Sequence, residues 1–173
     1  MPNSIVVSLV NITYNFLTKI DNFHLVPFLA SWPAPPFKIR TVSPSTLPVL
    51  SFLQELEFES NTEMGRIIKT LTTGKEKLCW GQTYSKDDFG PGFLEKYGWT
   101  ELIGLRGPVA SEDIACGFLL LGPDIEYPKH SHQADEIYIP MTSESLWIKD
   151  EGDWEYMPVG KPIYHRSWQT HGM

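Results

Sequence analysis

The sequence predicts a mainly β protein in which a helical N-terminal region precedes a small antiparallel β-barrel or sandwich. Two observations lead to this fold class. Apolar residues recur at helical spacing in the first part of the chain, and short runs separated by Gly, Pro and Asp turns follow from Trp99 onward. With 173 residues, 42% of them hydrophobic, the chain is long enough to bury a core. We therefore divide it into a helical region, 1–98, and a β domain, 99–173.

The first 48 residues contain one predicted helix and one connector. Between Ile5 and Ile20 the apolar residues recur at helical spacing, which favours an amphipathic helix. Residues 27–48 carry six prolines, so this stretch is predicted to connect elements without forming one. The N-terminal segment has no basic start, and polar residues interrupt its apolar stretch, which is untypical of a signal peptide.

Three further helices are predicted from residues that can cap a helix N-terminus. A Ser or Thr oxygen at that position accepts a hydrogen bond from the first turn. The predicted starts are Thr46, with Pro48 in the first turn, Ser60, with Glu63 at capping-box spacing, and Ser85, followed by Asp87 and Asp88. The helix after Ser60 is predicted to stop near Gly74, and the helix after Ser85 at Tyr97-Gly98.

Short strands are predicted in the β domain from apolar or alternating runs bounded by turn residues. These runs are Ile114–Leu121, Glu136–Met141, Ser145–Lys149, Trp154–Tyr156 and Pro162–His165. The turn Glu151-Gly152-Asp153 should fold the third and fourth of them into a hairpin.

Composition and charge exclude several classes of protein. The formal net charge is -7, which argues against a nucleic-acid partner and against binding to an anionic membrane surface. No window approaches the ~18 uninterrupted apolar residues of a membrane span. The two cysteines, Cys79 and Cys116, are far apart, so a disulfide framework and a thiolate zinc site are both disfavoured. We expect a soluble, cytoplasmic protein.

The histidines carry the strongest chemical signal. Four of the five lie after residue 129, and His130 and His132 share one face just before a predicted strand that begins at Glu136. Two imidazoles, a carboxylate and one further imidazole, from His165 or His171, suit a divalent ion such as Zn, Fe, Mn or Ni. An isolated His-x-His pair is more often just two polar residues at a strand edge. The returning histidines shift the interpretation to a metal site.

The same residues resemble a known family. HSHQADE, residues 130–136, matches the first cupin motif, HxHxxxE, and residues 160–171 resemble the second motif, whose final His is a ligand. The longer string GFLLLGPDIEYPKHSHQADEIYIPM, followed by a Trp-rich hairpin and YHRSWQTHGM, resembles the dimethylsulfoniopropionate (DMSP) lyases of the cupin superfamily. The resemblance covers roughly residues 78–173 and implies a cupin-type antiparallel β-barrel. Because the chain stops two residues after His171, we expect this barrel to be incomplete at its C-terminus or open at one side.

The resemblance also implies roles for individual residues. It assigns one divalent metal ion to His130, His132, Glu136 and His171, the catalytic base to Tyr138, and a substrate contact to Tyr127. A core or rim position for Tyr127 is nearly as well supported. His165 is interpreted as supporting the site or the fold, with ligation as the alternative.

The activity implied is β-elimination of DMSP, a small zwitterionic sulfonium carboxylate, to dimethyl sulfide and acrylate. Two alternatives stay open: another metal-dependent cupin enzyme, such as a dioxygenase or an isomerase, or a non-catalytic cupin that binds a small carboxylate. The sequence is also compatible with a homodimer.

Overall fold

Helices dominate the first half of the protein. The computed structural model describes residues 2–173. Its α-helices are α1 (Pro2–Leu17), α2 (Leu25–Ala30), α3 (Glu63–Gly74) and α4 (Lys86–Glu95), with 3-10 helices at Pro48–Gln54 and Lys75–Lys77. None of the helices in this range is long and apolar enough to cross a membrane.

Short strands make up the second half. They are β1 (Trp80–Gly81), β2 (Tyr97–Gly104), β3 (Val109–Ala110), β4 (Cys116–Leu121), β5 (Glu136–Tyr138), β6 (Ser145–Lys149), β7 (Glu155–Met157), β8 (Ile163–His165) and β9 (His171–Gly172). Strand β2 pairs with β1, β3 and β4, β5 pairs with β8, and β6 lies between β7 and β9. All of these pairs are antiparallel except β2–β3, which is parallel over two residues.

The predicted order of helices followed by mainly antiparallel strands is confirmed. Over residues 2–173, however, the strands form three separate sheets of four, two and three strands, not one closed hydrogen-bonded barrel. The reason is strand length: β5, β7 and β8 have three residues each, and β9 has two, so loops interrupt the pairing between the sheets.

Two predicted helix starts were wrong, and one is confirmed. Helix α3 is capped by Thr62, not Ser60, because the Thr62 Oγ1 accepts a hydrogen bond from the Gly65 N–H at 2.9 Å. The element after Thr46 is a 3-10 helix whose N-cap is Leu47, although Pro48 does lie in its first turn. Ser85 caps α4 as predicted, and it does so through a capping box with Asp88, the third helical residue. That helix ends at Glu95, before the predicted end at Tyr97-Gly98.

Several strand and connector boundaries also differ from those predicted. Residues 27–30 of the proline-rich stretch are helical, because Pro27 lies in the first turn of α2, where its missing N–H is tolerated. Strand β4 begins at Cys116, two residues later than predicted, and β5 stops at Tyr138 instead of Met141. The hairpin of β6 and β7 is confirmed, with Leu146 opposite Tyr156.

Two apolar clusters hold the second half against the first. The larger cluster joins α1, α3 and the β1–β3 sheet and includes Leu9, Ile67 and Ile103, each fully buried. The smaller cluster contains Phe93, Tyr97 and Tyr127, so it connects α4 and β2 to the segment just before His130. These contacts fix the backbone on which the histidines are carried.

Candidate metal centre

Backbone pairing brings the first and last histidines of the site together. His130 and His171 form an antiparallel bridge in which each N–H donates to the other residue's carbonyl at 2.9 Å. Residues directly opposite one another in such a pair place their side chains on the same face. The two rings accordingly lie 4.4 Å apart, centroid to centroid.

The carboxylate of the site comes from the neighbouring β5–β8 pair. Glu136 at the start of β5 is directly opposite His165 at the end of β8. On the other side of the site, Lys149 of β6 pairs with His171 of β9. Two short sheets and the His130–His171 bridge therefore meet around Glu136 and His171.

Three imidazoles are held in the same tautomer. The Nδ1 atoms of His130, His132 and His171 lie 2.9, 3.1 and 2.9 Å from the backbone carbonyls of Pro128, Ala134 and Gln169. A carbonyl oxygen only accepts, so each Nδ1 must carry the proton and donate it. In the neutral ring each Nε2 then has a lone pair, which is the form in which a histidine binds a metal.

The three rings point towards one region. His130, His132 and His171 offer ligand atoms that all lie within 4.8 Å of one another. His171 is 1% exposed, and its Nε2 has no hydrogen-bond partner within the described chain. A buried nitrogen lone pair without a partner is costly unless another group satisfies it.

Glu136 supplies the negative charge of the cluster. Its Oε2 lies 2.7 Å from the His132 Nε2 and 3.3 Å from the His171 Nε2. Burial acts to raise the pKa of this carboxyl, but its contacts with His171, Tyr138 and His132 outweigh burial and lower the pKa to about 2. A carboxylate oxygen and an imidazole lone pair at 2.7 Å are both acceptors, so a proton or a cation must lie between them.

This donor set fits a divalent metal ion. Three imidazole nitrogens oriented by their Nδ1 hydrogen bonds and one ionised carboxylate are typical ligands of Zn, Fe, Mn or Ni. The pKa of His130 is lowered chiefly by burial, which keeps that ring neutral and available as a ligand.

Tyr138, the predicted base, lies beside this cluster. Its ring centroid is 6.2 Å from that of His171 and 5.2 Å from that of Trp147. Burial, followed by the charge of Glu136, raises the pKa of the Tyr138 phenol. The phenol can therefore act as a base only when positive charge is placed next to it.

Tyr127, the predicted substrate contact, belongs to an aromatic wall on the other side of His130. Its ring lies 4.5 Å from the His130 ring, and it is 6% exposed. Its hydroxyl is 3.4 Å from that of Tyr84, and its ring stacks on Tyr97 at 5.4 Å. The structure thus places Tyr127 both in an apolar cluster and next to the site. Burial, more than its tyrosine neighbours, raises the pKa of its phenol.

Sequence reasoning missed one residue that organises the site. The Asp135 Oδ1 accepts hydrogen bonds from the Ser167 N–H at 2.7 Å and from the Tyr164 hydroxyl at 3.1 Å. It thereby ties the loop that carries His132 to the loop that leads to His171. The signal was present in the sequence, because Asp135 precedes Glu136 and must point to the opposite face of the strand.

Comparison with known proteins identifies the family. The model of the DMSP lyase family matches residues 31–173, most of the chain. The chain belongs to the DMSP lyase family. It is 24% identical over 160 residues to the DMSP lyase DddQ of Ruegeria pomeroyi, covering 91% of this chain and 80% of that one. It is 31% identical over 130 residues to the putative DMSP lyase DddL of Cereibacter sphaeroides, covering 74% of this chain but 53% of the relative.

Two solved structures share the fold. One, reported with the DMSP lyases RdDddP and RnDddQII, superposes with a TM-score of 0.87 at 18% identity over 99% of this chain and 86% of that one. The crystal structure of DddQ from Ruegeria pomeroyi superposes with a TM-score of 0.73 at 24% identity, over 91% and 82% of the two chains. The family model and the curated relatives confirm the DMSP lyase family and the enzyme class that the resemblance over residues 78–173 implied.

Proposed function

We propose that the protein cleaves DMSP to dimethyl sulfide and acrylate by metal-dependent β-elimination, with Tyr138 as the base. The observation that carries this proposal is the set of three imidazoles whose Nδ1 atoms donate to backbone carbonyls and whose ligand atoms lie within 4.8 Å of one another. Two of them, His132 and His171, place their Nε2 atoms 2.7 and 3.3 Å from the Glu136 carboxylate. Membership of the DMSP lyase family supports the substrate. The likeness of this chain to solved DMSP lyase structures supports a cupin-type arrangement of the strands.

The proposed ligands are His130, His132, Glu136 and His171. When bound, a divalent cation there would stabilise the negative charge that develops next to the substrate carboxylate and would lower the pKa of a neighbouring phenol. The metal-free pKa of Tyr138 is raised, so the fall to near-neutral values must come from that positive charge.

The chain's own residues perform the remaining steps. The Tyr138 phenolate takes the proton from the carbon next to the substrate carboxylate. The electron pair of that carbon–hydrogen bond forms the carbon–carbon double bond of acrylate. The carbon–sulfur bond breaks, and its electron pair leaves on sulfur as neutral dimethyl sulfide, so no acid is needed for the leaving group.

The aromatic wall is proposed to receive the sulfonium group. The Tyr127 ring lies next to His130, with Tyr84 and Tyr97 packed against it, and a cation near an aromatic face is stabilised by its negative electrostatic potential. Tyr127 is the member of this wall nearest to the ligand set and is therefore the proposed substrate contact.

The test compares two tyrosines that differ in position. Tyr138→Phe deletes only a hydroxyl, so dimethyl sulfide release should fall by ~10²–10⁴-fold while the metal content stays the same. Tyr156→Phe is the matched control, because Tyr156 lies on β7 with 72% exposure, and it should release dimethyl sulfide at the wild-type rate. Gas chromatography of the released sulfide, together with metal analysis of the same samples, measures both quantities.

His132→Ala separates ligation from base catalysis. Loss of this imidazole should remove metal and turnover together, unlike Tyr138→Phe. A wild-type rate in Tyr138→Phe would remove the proposed base. Metal-loaded wild-type protein that releases no dimethyl sulfide from DMSP would overturn the proposed function and favour a carboxylate-binding role.

A further inference from the structure

His165 lies inside the metal centre, yet the described chain leaves both of its ring nitrogens without a partner. The residue is fully buried, and neither Nδ1 nor Nε2 has a hydrogen-bond partner among residues 2–173. Buried polar atoms are paired in the great majority of cases, and an exception calls for an explanation such as a bound ion. A purely structural histidine would be expected to donate at least one hydrogen bond.

The position of His165 makes it a candidate ligand. It is paired across the β5–β8 ladder with Glu136, and its ring lies 4.0 Å from that of His171, centroid to centroid. Glu136, His165 and His171 offer ligand atoms that all lie within 4.8 Å of one another. These three residues form a second donor group that shares His171 with the group of His130 and His132.

The orientation of the two rings limits how this second group can be used. An imidazole binds an ion through a lone pair that lies in the plane of the ring, with a metal–nitrogen distance of about 2.0–2.1 Å. The His165 and His171 rings are stacked with only 8° between their planes. One ion cannot lie in two parallel planes that are stacked on each other, so His165 and His171 cannot bind the same ion at the same time.

We propose that His165 is an alternative ligand to His171: an ion bound by Glu136 takes its imidazole either from His171, together with His130 and His132, or from His165. This inference rests on the proposed metal centre. The Tyr138 ring is 5.9 Å from the His165 ring and 6.2 Å from the His171 ring, so the base stays next to the ion in either set. Exchange of one imidazole for the other lets the ion change its coordination without leaving the site.

The experiment is a double-mutant cycle on metal affinity. Zn²⁺ is titrated against a competing chelator in wild type, His165→Ala, His171→Ala and the double variant. His165→Ala should weaken Zn²⁺ binding by less than about tenfold, because His171 remains. His171→Ala should still bind one ion, and the double variant should bind it at least about tenfold more weakly than His171→Ala, since the spare ligand is then gone.

Two outcomes overturn the proposal in different ways. Equal Zn²⁺ affinity in His171→Ala and in the double variant would show that His165 is no ligand, while the proposed function would stand. A wild-type protein that binds no divalent ion would overturn this inference together with the metal-dependent function.

A second measurement covers the case in which His171→Ala does not fold. Cu²⁺-loaded wild type should give two sets of lines in electron paramagnetic resonance, one for each ligand set. His165→Phe keeps a ring stacked on His171 but has no nitrogen, and it should give one set. A wild-type spectrum with one species, unchanged in His165→Phe, would contradict the proposal.

Discussion

The part of the chain up to Leu121 and the part from Tyr127 onward are stabilised by different interactions. In the first part, a large cluster of buried aliphatic side chains joins helices α1 and α3 to the sheet around β2. In the second part, the buried apolar side chains are few, and two of the most deeply buried residues are His165 and His171. The second part is held instead by ladders of two or three residues and by hydrogen bonds between loops, such as those of Asp135.

This difference separates the scaffold from the site. Burial of apolar surface is the main favourable contribution to the free energy of folding. The apolar core of the first part can therefore offset the cost of burying polar groups in the second part. Buried histidines without partners lower the stability of the fold, and titratable groups with shifted pKa values cluster at functional sites. Substitutions in the first part should therefore change the stability of the fold, and those in the second part should change metal binding and turnover.

The largest expected loss of stability comes from the core of the first part. Ile103→Ala removes a fully buried side chain from β2 and should lower the free energy of unfolding by about 2–5 kcal/mol, through lost burial and the cavity left behind. Leu105→Ala is the control two residues away, since Leu105 is 70% exposed, and it should stay within about 0.5 kcal/mol of wild type. Urea unfolding measures both. An equal loss of unfolding free energy in the two variants would show that burial in this cluster does not stabilise the first part.

The next effect is an acid sensitivity that belongs to the second part. Burial, with the nearby His171 and Lys149, lowers the pKa of His165 to about 3, against 6.5 when exposed. Below pH 6.5 the unfolded chain therefore binds a proton at His165, whereas the folded protein does not. The contribution of His165 to the free energy of unfolding is complete above pH 6.5 and is lost as pH falls towards 3. Between pH 7 and pH 5 the metal-free protein should lose about 2 kcal/mol of unfolding free energy from this group.

The same sign holds for Glu136 at lower pH. Its pKa of about 2 lies below the ordinary 4.5, so its contribution disappears as pH falls from about 4.5 towards 2. His165→Phe should flatten the stability profile between pH 7 and pH 5 and leave the lower step in place. Metal-free wild type and His165→Phe with identical profiles in urea unfolding would show that His165 does not cause the upper step.

A smaller effect tests where α3 begins. Thr62→Ala should cost about 1 kcal/mol, because the Thr62 side chain accepts the hydrogen bond from the Gly65 N–H. Ser60→Ala, the control, should lie within about 0.5 kcal/mol of wild type, since Ser60 is exposed and precedes the cap. A larger fall in the unfolding temperature for Ser60→Ala than for Thr62→Ala would show that Ser60, not Thr62, caps the helix.

The smallest effect has the opposite sign and lies in the second part. Trp168, between His165 and His171, has a φ of +60° and is 66% exposed, while its N–H donates to the His132 carbonyl at 2.7 Å. A side chain in this backbone region is strained, so Trp168→Gly should stabilise the metal-free protein by about 1 kcal/mol or less. A clear loss of stability would mean that the contacts of the indole stabilise the fold by more than the backbone strain at Trp168 destabilises it.

The sequence predicted most of the elements because their signals are local. The helical spacing after Ile5 and the helix start at Ser85 each depend on residues within one or two turns, and both are confirmed. The choice between Ser60 and Thr62 depends on the tight turn at Gly65, where an added Cβ would meet the Glu59 carbonyl oxygen at 2.0 Å. Spacing alone does not contain that information.

The candidate site was harder to predict where it depends on pairing between distant segments. The His-x-His motif and Glu136 are close in sequence, so their proximity could be predicted, but a bend at residues 133–134, not strand alternation, brings His132 to Glu136. The stacking of His165 on His171 follows from the register of β8 and from the loop that returns through Trp168 to β9, and neither can be read from alternation. The aromatic wall was missed in part because Tyr97 was assigned to the end of a helix, whereas it begins β2.

The two-residue strand β9 has a consequence for the order of folding. It pairs with β6 on one side, and on the other side His171 and Met173 pair with His130 and Tyr127. Contacts between segments so distant along the chain require closure of a long loop, and such closures are slow and form late. The apolar first part can collapse before them. The proposed ligand set would be complete only once β9 has docked, so the rate at which refolding protein takes up metal should report the final step of folding, not the first.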